Sequence, residues 1–488
     1  METKNASKIA REETGVDGDD RLSSLPEEII SHVLSFLETK YAVGTAVLSR
    51  RWKDLWARVS SLDLDSGLVF KPLSLETGLK ISPDPASAFR ARDLEFSRFV
   101  DRVLSQHKNL DSLRRFRFHF SVTWEILPPP DFRFTREFVF GPLLEEIDVM
   151  LSEETTEFGL PQCMRRIPHS FYTLKNLKIA KLERVTLSAP KGSVLLPCMK
   201  ILLLVHVRMM EFETLVRLIA GCPVLETAHL VNCIPSYTTE NDILDVSLPC
   251  LKNLKIWDYD DVWERKQRMC PVVIEAPNLE QLYFDVLGDF PFKGRRPLPC
   301  LQTVYVAVDD RGRASHSLAG FLSRISNAKE ISLLGKTLSH LSVEKNVQLP
   351  DLPNLTHLVI EIEGSSCVLR SLLNSATKLQ YVYIVMGNCS GPVECDWRSQ
   401  PATGPECFLS SLRVITIYDF VAVEAQIAMV AYFLTAGAIL EKLILHFYSN
   451  DTDGYKPLVP LLNSPRRSSS CEIRLFRPNK EEIHIEQP

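Results

Sequence analysis

The chain has 488 residues, 56 Lys and Arg against 61 Asp and Glu, a net charge of -5 and 45% apolar residues. That composition allows several hundred residues of buried core and two to four domains, and it excludes the strong basic field that holds nucleic acid. No basic stub with an apolar run opens the chain, so no secretory leader is expected. The longest uncharged stretch, residues 425–440, contains Gln426, Thr435 and Gly437. It falls short of the ~20 apolar residues that cross a bilayer, so a buried helix and no membrane partner are expected.

Residues 1–20 are polar, end in Asp17-Gly18-Asp19-Asp20 and read as a disordered leader. Three short helices are predicted within 21–57. The first begins near Pro26 with Ser23 or Ser24 as its cap, and Glu27 and Glu28 sit at the positive end of its dipole. Ile29, Ile30, Val33, Leu34 and Leu37 then recur at helical spacing. A second helix runs through 42–47, and a third carries Ser49 to Trp56, with Trp52, Leu55 and Trp56 on one side. About forty residues cannot bury that much apolar surface alone, so the segment is expected to dock on a partner.

The stretch Leu25-Pro26-Glu27-Glu28-Ile29-Ile30, followed by Val33-Leu34-Ser35-Phe36-Leu37 and Leu48-Ser49-Arg50-Arg51-Trp52-Lys53-Asp54-Leu55-Trp56, resembles an F-box. The resemblance implies insertion into a Skp-type adaptor, and through it attachment to a cullin, in a ubiquitin ligase. It implies adaptor contacts at Leu25, Pro26, Ile29, Ile30, Val33, Leu34, Leu48, Trp52, Leu55 and Trp56. Tyr41 stands where the plant-type pattern usually has an acidic residue. Gly44 stands where a long basic or polar side chain is common, at a cost of about 1 kcal/mol relative to alanine inside a helix.

Beyond the F-box, a pattern of apolar, two free positions, apolar, one free position, apolar recurs through a repeat array at residues 58–400 and continues into 401–450. It appears loosely at Val59-Leu62-Leu64, Leu113-Phe116-Phe118 and Leu144-Ile147-Val149, then at Leu174-Leu177-Ile179, Met199-Leu202-Leu204, Leu225-Ala228-Leu230 and Leu251-Leu254-Ile256. It continues through Leu279-Leu282-Phe284, Leu301-Val304-Val306, Ala328-Ile331-Leu333, Leu355-Leu358-Ile360, Leu379-Val382-Ile384, Leu412-Ile415-Ile417 and Leu440-Leu443-Leu445. A step mostly in the twenties is the period of leucine-rich repeats. Leu-Pro-Cys triplets ending at Cys198, Cys250 and Cys300 punctuate it. Apolar helical runs precede several copies, among them Phe96, Phe99, Val100 and Val103, and Phe212, Leu215, Val216 and Ile219. One helix and strand cannot bury its own apolar side, but stacked neighbours can, with strands on the inner face.

The free position between each last apolar pair points outward: Lys178, Leu203, His229, Lys255, Tyr283, Tyr305, Ser332, Val359, Tyr383, Thr416 and Ile444. Tyr283, Tyr305 and Tyr383 are candidate contacts for a target protein. Trp257 and Trp263, in the loop Trp257-Asp258-Tyr259-Asp260-Asp261-Val262-Trp263, are two more.

Residues 401–450 have their own resemblance. Pro405-Glu406-Cys407-Phe408-Leu409-Ser410-Ser411-Leu412, a strand through Ile417, a helix at 425–435 and a strand at 440–447 look like the FBD domain of plant F-box repeat proteins. In that helix Ile427, Val430, Ala431 and Leu434 are expected to face the strands, and the segment to close the open end of the core. Residues 451–488 read as a polar tail with one weak strand, Cys471-Glu472-Ile473-Arg474-Leu475. The fold class is α/β: a three-helix F-box, a leucine-rich-repeat solenoid with a curved sheet of short parallel strands and outer helices, and a closing FBD segment.

Motifs for an enzyme are missing: no GxSxG, GxxxxGKS, HExxH or GxGxxG occurs. The twelve cysteines lack CxxC spacing and read as reduced thiols, not as zinc ligands or disulfides. The short basic runs Arg114-Arg115-Phe116-Arg117-Phe118 and Lys293-Gly294-Arg295-Arg296 give no case for a nucleic-acid partner. With no catalytic, cofactor or metal residues expected, the reading is a ligase subunit that binds an unidentified target protein, in nucleus or cytoplasm. The alternative is a non-degradative interaction scaffold with an F-box.

Overall fold

The computed structural model describes residues 24–69, 85–107, 110–122, 140–153, 166–233, 242–258, 270–287, 292–294, 296–309, 318–338, 349–362, 367–387, 397, 404–449, 456–462 and 466–483. The predicted leader and Trp263 lie outside these residues. The described strands are, in chain order, β1 (Ser61–Asp65), β2 (Arg115–Val122), β3 (Glu146–Glu153), β4 (Ile179–Glu183), β5 (Thr186–Leu187), β6 (Ile201–Val205), β7 (Arg208–Met209), β8 (Thr227–Val231), β9 (Leu244–Val246) and β10 (Asn253–Asp258). Then come β11 (Val272–Ile274), β12 (Gln281–Leu287), β13 (Phe292–Lys293), β14 (Thr303–Asp309), β15 (Glu330–Gly335), β16 (His357–Ile362), β17 (Tyr381–Met386), β18 (Val414–Phe420), β19 (Lys442–Phe447) and β20 (Glu472–Phe476).

Fifteen of these strands form one sheet in strict chain order, β1-β2-β3-β4-β6-β8-β10-β12-β14-β15-β16-β17-β18-β19-β20. The pairings are parallel, so each connection must travel back behind the sheet, and those returns build the second layer. It contains the helices Pro85–Gln106, Phe212–Ala220, Leu318–Arg324, Cys367–Ser375 and Glu424–Ala436. In the middle of the array the short sheets β5-β7 and β13-β11-β9 take the place of helices. Side chains alternate along each strand: in β6, Leu202 and Leu204 are buried against the second layer while Ile201, Leu203 and Val205 stay half-exposed. The opposite layer answers with the same chemistry, as in Phe212, Leu215, Leu218 and Ile219 on one helix face. This is the stacked α/β solenoid expected from the repeat.

The strand exits are also periodic. Arg184, His206 and Asn232 adopt left-handed φ values of 53°, 51° and 47°, and their N–H groups donate to the carbonyls of Val205, Val231 and Trp257 on the next strand at 2.9, 2.7 and 2.6 Å. Gly335, the last residue of β15, holds the same place in its repeat with φ 59°. A Cβ there would sit 2.9 Å from the Val308 carbonyl oxygen, so glycine is required both by conformation and by space.

Both ends of the sheet are covered. At the start, the F-box packs on β1: the Asp63 N–H donates to Thr39 Oγ1 at 2.7 Å and the Ser60 N–H to Ser35 Oγ at 3.0 Å. At the far end, residues 477–483 turn back so that Glu482 bridges Phe476 in antiparallel sense and the Ile483 N–H donates to the Leu475 carbonyl at 2.8 Å. Capped edges remove an open row of backbone donors and acceptors that would template aggregation.

Several local expectations change. The repeat expected at Leu174-Leu177-Ile179 runs instead as Leu177-Ala180-Leu182, because Ala180 pairs with Leu202 and Leu182 with Leu204; alanine at the middle apolar position concealed the register, and the outward residue is Lys181, not Lys178. In the F-box, Pro26 is itself the N-cap of helix Glu27–Leu34, its carbonyl accepting the Ile29 and Ile30 N–H groups at 3.1 Å each. The second helix is Thr39–Gly44, followed by a 3-10 turn at Thr45–Val47, and the third is a 3-10 helix, Trp52–Arg58. Helix Glu424–Ala436 buries Met429, Val430, Phe433 and Leu434 while Ile427 and Ala431 are only half-covered, because Phe408 and Trp397 cover its other side. The weak tail strand is a full member of the sheet, β20, so the tail and not the FBD-like segment provides the last strand.

Candidate functional site

Two surfaces stand out, one on the F-box and one on the open face of the sheet. Helix Glu27–Leu34 divides its apolar residues between two sides. Ile30 and Leu34 are buried, together with Ala42, Leu55 and Trp56, and Val59 continues that core into β1. Trp52 is half-covered and packs on the same core, as does Leu25. On the other side Ile29, Val33, Phe36, Leu37, Tyr41, Val47 and Leu48 are exposed, and Pro26 is exposed with them. Four expected adaptor contacts, Ile30, Leu34, Leu55 and Trp56, are therefore core residues of the F-box itself: each is needed to join the short helices to β1, and none is open to a partner.

Phe36, Tyr41 and Val47 belong to the exposed face yet escaped the sequence reading. Phe36 lies just past helix Glu27–Leu34, Tyr41 within Thr39–Gly44 and Val47 at the end of the 3-10 turn; their signal was large apolar side chains in a segment too short to bury them. Phe36 is 76% exposed and Val47 87%. The His32 ring meets Phe36 edge-on, with centroids 5.0 Å apart. Around the face, Arg58 pairs with Glu27 at 2.7 Å and Arg51 donates to the Leu25 carbonyl, fixing the chain on either side of Pro26.

The open face of the sheet is segregated by chemistry. Across β1 to β4 it is ionic: Arg117 donates to Asp63 at 3.1 Å and to Asp65 at 3.0 Å, His119 Nε2 meets Asp148 at 2.8 Å, and Lys181 lies 3.7 Å from Asp148. Burial opposes the charge on Arg117, but the Asp63 and Asp65 carboxylates outweigh it and raise its pKa. Burial likewise pushes Asp148 up, and the hydrogen bond with His119 and the nearby cations bring it below the usual carboxylate range. These charges satisfy one another and form a structural network.

Further along, the face turns aromatic. Lys255, Tyr283 and Tyr305 are paired in register on β10, β12 and β14, with Trp257 opposite Asp285. Parallel in-register strands ~4.8 Å apart bring equivalent side chains to stacking distance, and the Tyr283 and Tyr305 rings lie 4.1 Å apart and 5° from parallel. Lys255 Nζ sits 4.7 Å from the Tyr283 centroid and 4.9 Å from that of Trp257, a cation between two π faces. Burial holds the Asp285 carboxyl above its usual range against the hydrogen bond from Tyr305 and the charge of Lys255. Burial also raises the Tyr283 and Tyr305 phenols.

Trp257, Tyr283 and Tyr305 thus form one cluster, joined by Lys255 and by Asp285, which the sequence reading did not single out. Tyr383, on β17, is three strands from Tyr305, roughly 14 Å at ordinary strand spacing, and stands apart. Thr416, expected outward, is buried at 3% exposure, because its larger register neighbours Tyr383 and Ile444 close over it. The arrangement offers flat π surface, one cation and one acid, which suits recognition of protein side chains. Among the described residues, no helix is long and apolar enough to cross a membrane.

Comparison with known proteins agrees with this layout. Family models match an F-box domain at residues 22–64, the leucine-rich repeats of the FBD-associated F-box protein At5g56370 at 144–290, and an FBD at 400–445. Among similar Arabidopsis thaliana proteins, the F-box/LRR-repeat protein At4g14096 is 29% identical, covering 94% of this chain and 95% of its own length. The FBD-associated F-box protein At5g22730 is 27% identical over 93% of this chain and 94% of its own length, and the F-box/FBD/LRR-repeat protein At1g13780 27% identical over 95% and 99%. Domains of these kinds are typical of non-catalytic adaptor proteins with a general role in substrate recognition. Three domain matches in the same order, with similarity that runs nearly end to end along these relatives, make the chain similar to the plant F-box/FBD/leucine-rich-repeat proteins.

Proposed function

We propose that this chain is the substrate-recognition subunit of a Skp-cullin-F-box ubiquitin ligase. In this reading the adaptor covers Ile29, Val33, Phe36, Leu37, Tyr41, Val47 and Leu48, with Leu25 and Pro26 at the rim. A target protein lies on the open face around Lys255, Trp257, Tyr283, Asp285 and Tyr305, with Tyr383 as a separate contact. The single observation that carries it is the unburied half of the F-box: large apolar side chains left in water on the side of helix Glu27–Leu34 that faces away from β1. The F-box packs on β1 through Thr39 and Ser35, so a bound adaptor and the aromatic cluster would keep a fixed mutual orientation. Transfer then needs only proximity, with the chemistry on another subunit.

The test is reconstitution of the ligase with this chain. A protein that copurifies with wild type should gain ubiquitin, and should fail to do so with Val33→Asp/Phe36→Asp or with Tyr283→Ala/Tyr305→Ala. Loss with the first pair but not the second would move the target site away from the cluster. Adaptor binding without ubiquitin on any copurified protein would instead identify a scaffold.

A further inference from the structure

A groove of about 650 Å3 runs along the rim where β4 to β14 begin, and it contains Cys198, Cys250 and Cys300. These are the thiols of the three Leu-Pro-Cys triplets. Each occupies the turn four residues before the first buried position of its strand, and Val224 and Asn278 hold the same place in the intervening repeats. Cys198 and Cys300 are exposed and Cys250 half-exposed, whereas Cys222, Cys233, Cys270, Cys407 and Cys471 are buried. Burial pushes the Cys222, Cys270 and Cys407 thiols up to about 12, and raises Cys233 and Cys471 as well.

Successive rim thiols are two strands apart, about 9.5 Å at normal sheet spacing, beyond the ~7 Å between Cα atoms that a disulfide spans. They cannot pair with each other and are open only to an external sulfur. The groove walls carry Lys178, Lys200 and Lys252 with Glu226 and Glu280; Lys178 is paired with Glu145 at 2.7 Å, so Lys200 and Lys252 are the cations the groove offers. Lys200 and Lys252 share Glu226, each at 3.0 Å, so two ammonium groups divide one carboxylate. Each ammonium has three donors, which leaves capacity for a second anion.

We propose that this groove is a site of reversible thiol modification by small disulfides that bear carboxylates. The thiolate of Cys198, Cys250 or Cys300 attacks one sulfur of the disulfide R–S–S–R. A Cys–S–S–R bond forms, the S–S bond of the reagent breaks, and R–S⁻ leaves with the electron pair and takes a proton from water; the protein sulfur is oxidised and the departing half is reduced. The carboxylates of the reagent are held by Lys200 and Lys252.

Full-length reduced protein would be treated with oxidised glutathione or with the neutral 2-hydroxyethyl disulfide, and the adducts mapped and timed by mass spectrometry. Adducts should form on Cys198, Cys250 and Cys300 well before any of the five buried thiols. Lys200→Gln/Lys252→Gln should slow the glutathione reaction roughly two- to fivefold, the scale of an exposed ion pair, leave the neutral reagent unaffected, and regain the rate as Lys200→Arg/Lys252→Arg. Equal rates of the lysine variant and wild type with both reagents, equal slowing with both, or labelling of the buried thiols at the same rate would each overturn the site.

Discussion

Phe36→Ala separates docking from folding. The Phe36 side chain is 76% exposed and touches His32 on the surface, so its removal leaves the F-box core intact and should change stability by less than about 0.5 kcal/mol. Burying a phenylalanine fully contributes about 1.5–3 kcal/mol; scaled to the exposed three quarters, contact with an adaptor contributes about 1–2 kcal/mol, roughly 6- to 30-fold in Kd. Leu34→Ala makes the opposite case. Leu34 is 2% exposed, so truncation should cost about 2–5 kcal/mol of folding stability and affect binding only through unfolding. Isothermal titration of the full chain against a recombinant Skp-type adaptor, beside thermal melts of both variants, reads the two effects independently. An unchanged Kd for Phe36→Ala, or a large loss of stability in that variant, would refute the division of the helix into an outer docking side and an inner core side.

Two further outcomes follow from the array. Burial holds the His107 imidazole below its ordinary pKa, against the pull of its contact with the Val59 carbonyl at 3.0 Å. A folded-state pKa below the unfolded one means this contribution is complete above about pH 6.5 and is lost as pH falls below it, where the unfolded chain takes up the proton first. His107→Gln should therefore show a smaller drop in Tm between pH 7.5 and 5.5 than wild type, and an unaltered pH slope would contradict the assignment. Gly335→Ala places a Cβ against the Val308 carbonyl at φ 59°, and should lower stability by more than ~1 kcal/mol; a urea midpoint equal to wild type would show that the strand exit relaxes freely.

The aromatic cluster was half-readable. Tyr283 and Tyr305 fall at the same place in successive copies of the pattern, and a parallel in-register sheet turns that periodicity into a stack. Asp285 and Trp257 lie one alternation further on, paired across β10 and β12, and only the lateral neighbour makes them members of the site. The pattern failed where a small residue stood at a large residue's position, as at Ala180, and where lateral neighbours overrode alternation, as at Thr416.

Periodicity by itself determined the solenoid, its strand order and most of its inward residues, because each repeat must bury the same face against the next. The F-box helix was equally visible as an apolar stripe. Which half of that stripe is core was decided only in three dimensions. Ile29 and Ile30 are adjacent and chemically identical, but Ile30 turns toward Leu55, Trp56 and the start of β1 while Ile29 turns to solvent. The same is true of the tail, whose weak apolar alternation became β20 because β19 offered an unpaired edge to complete. Burial belongs to a residue's neighbours across the fold, and those are set by packing rather than by the local run of amino acids.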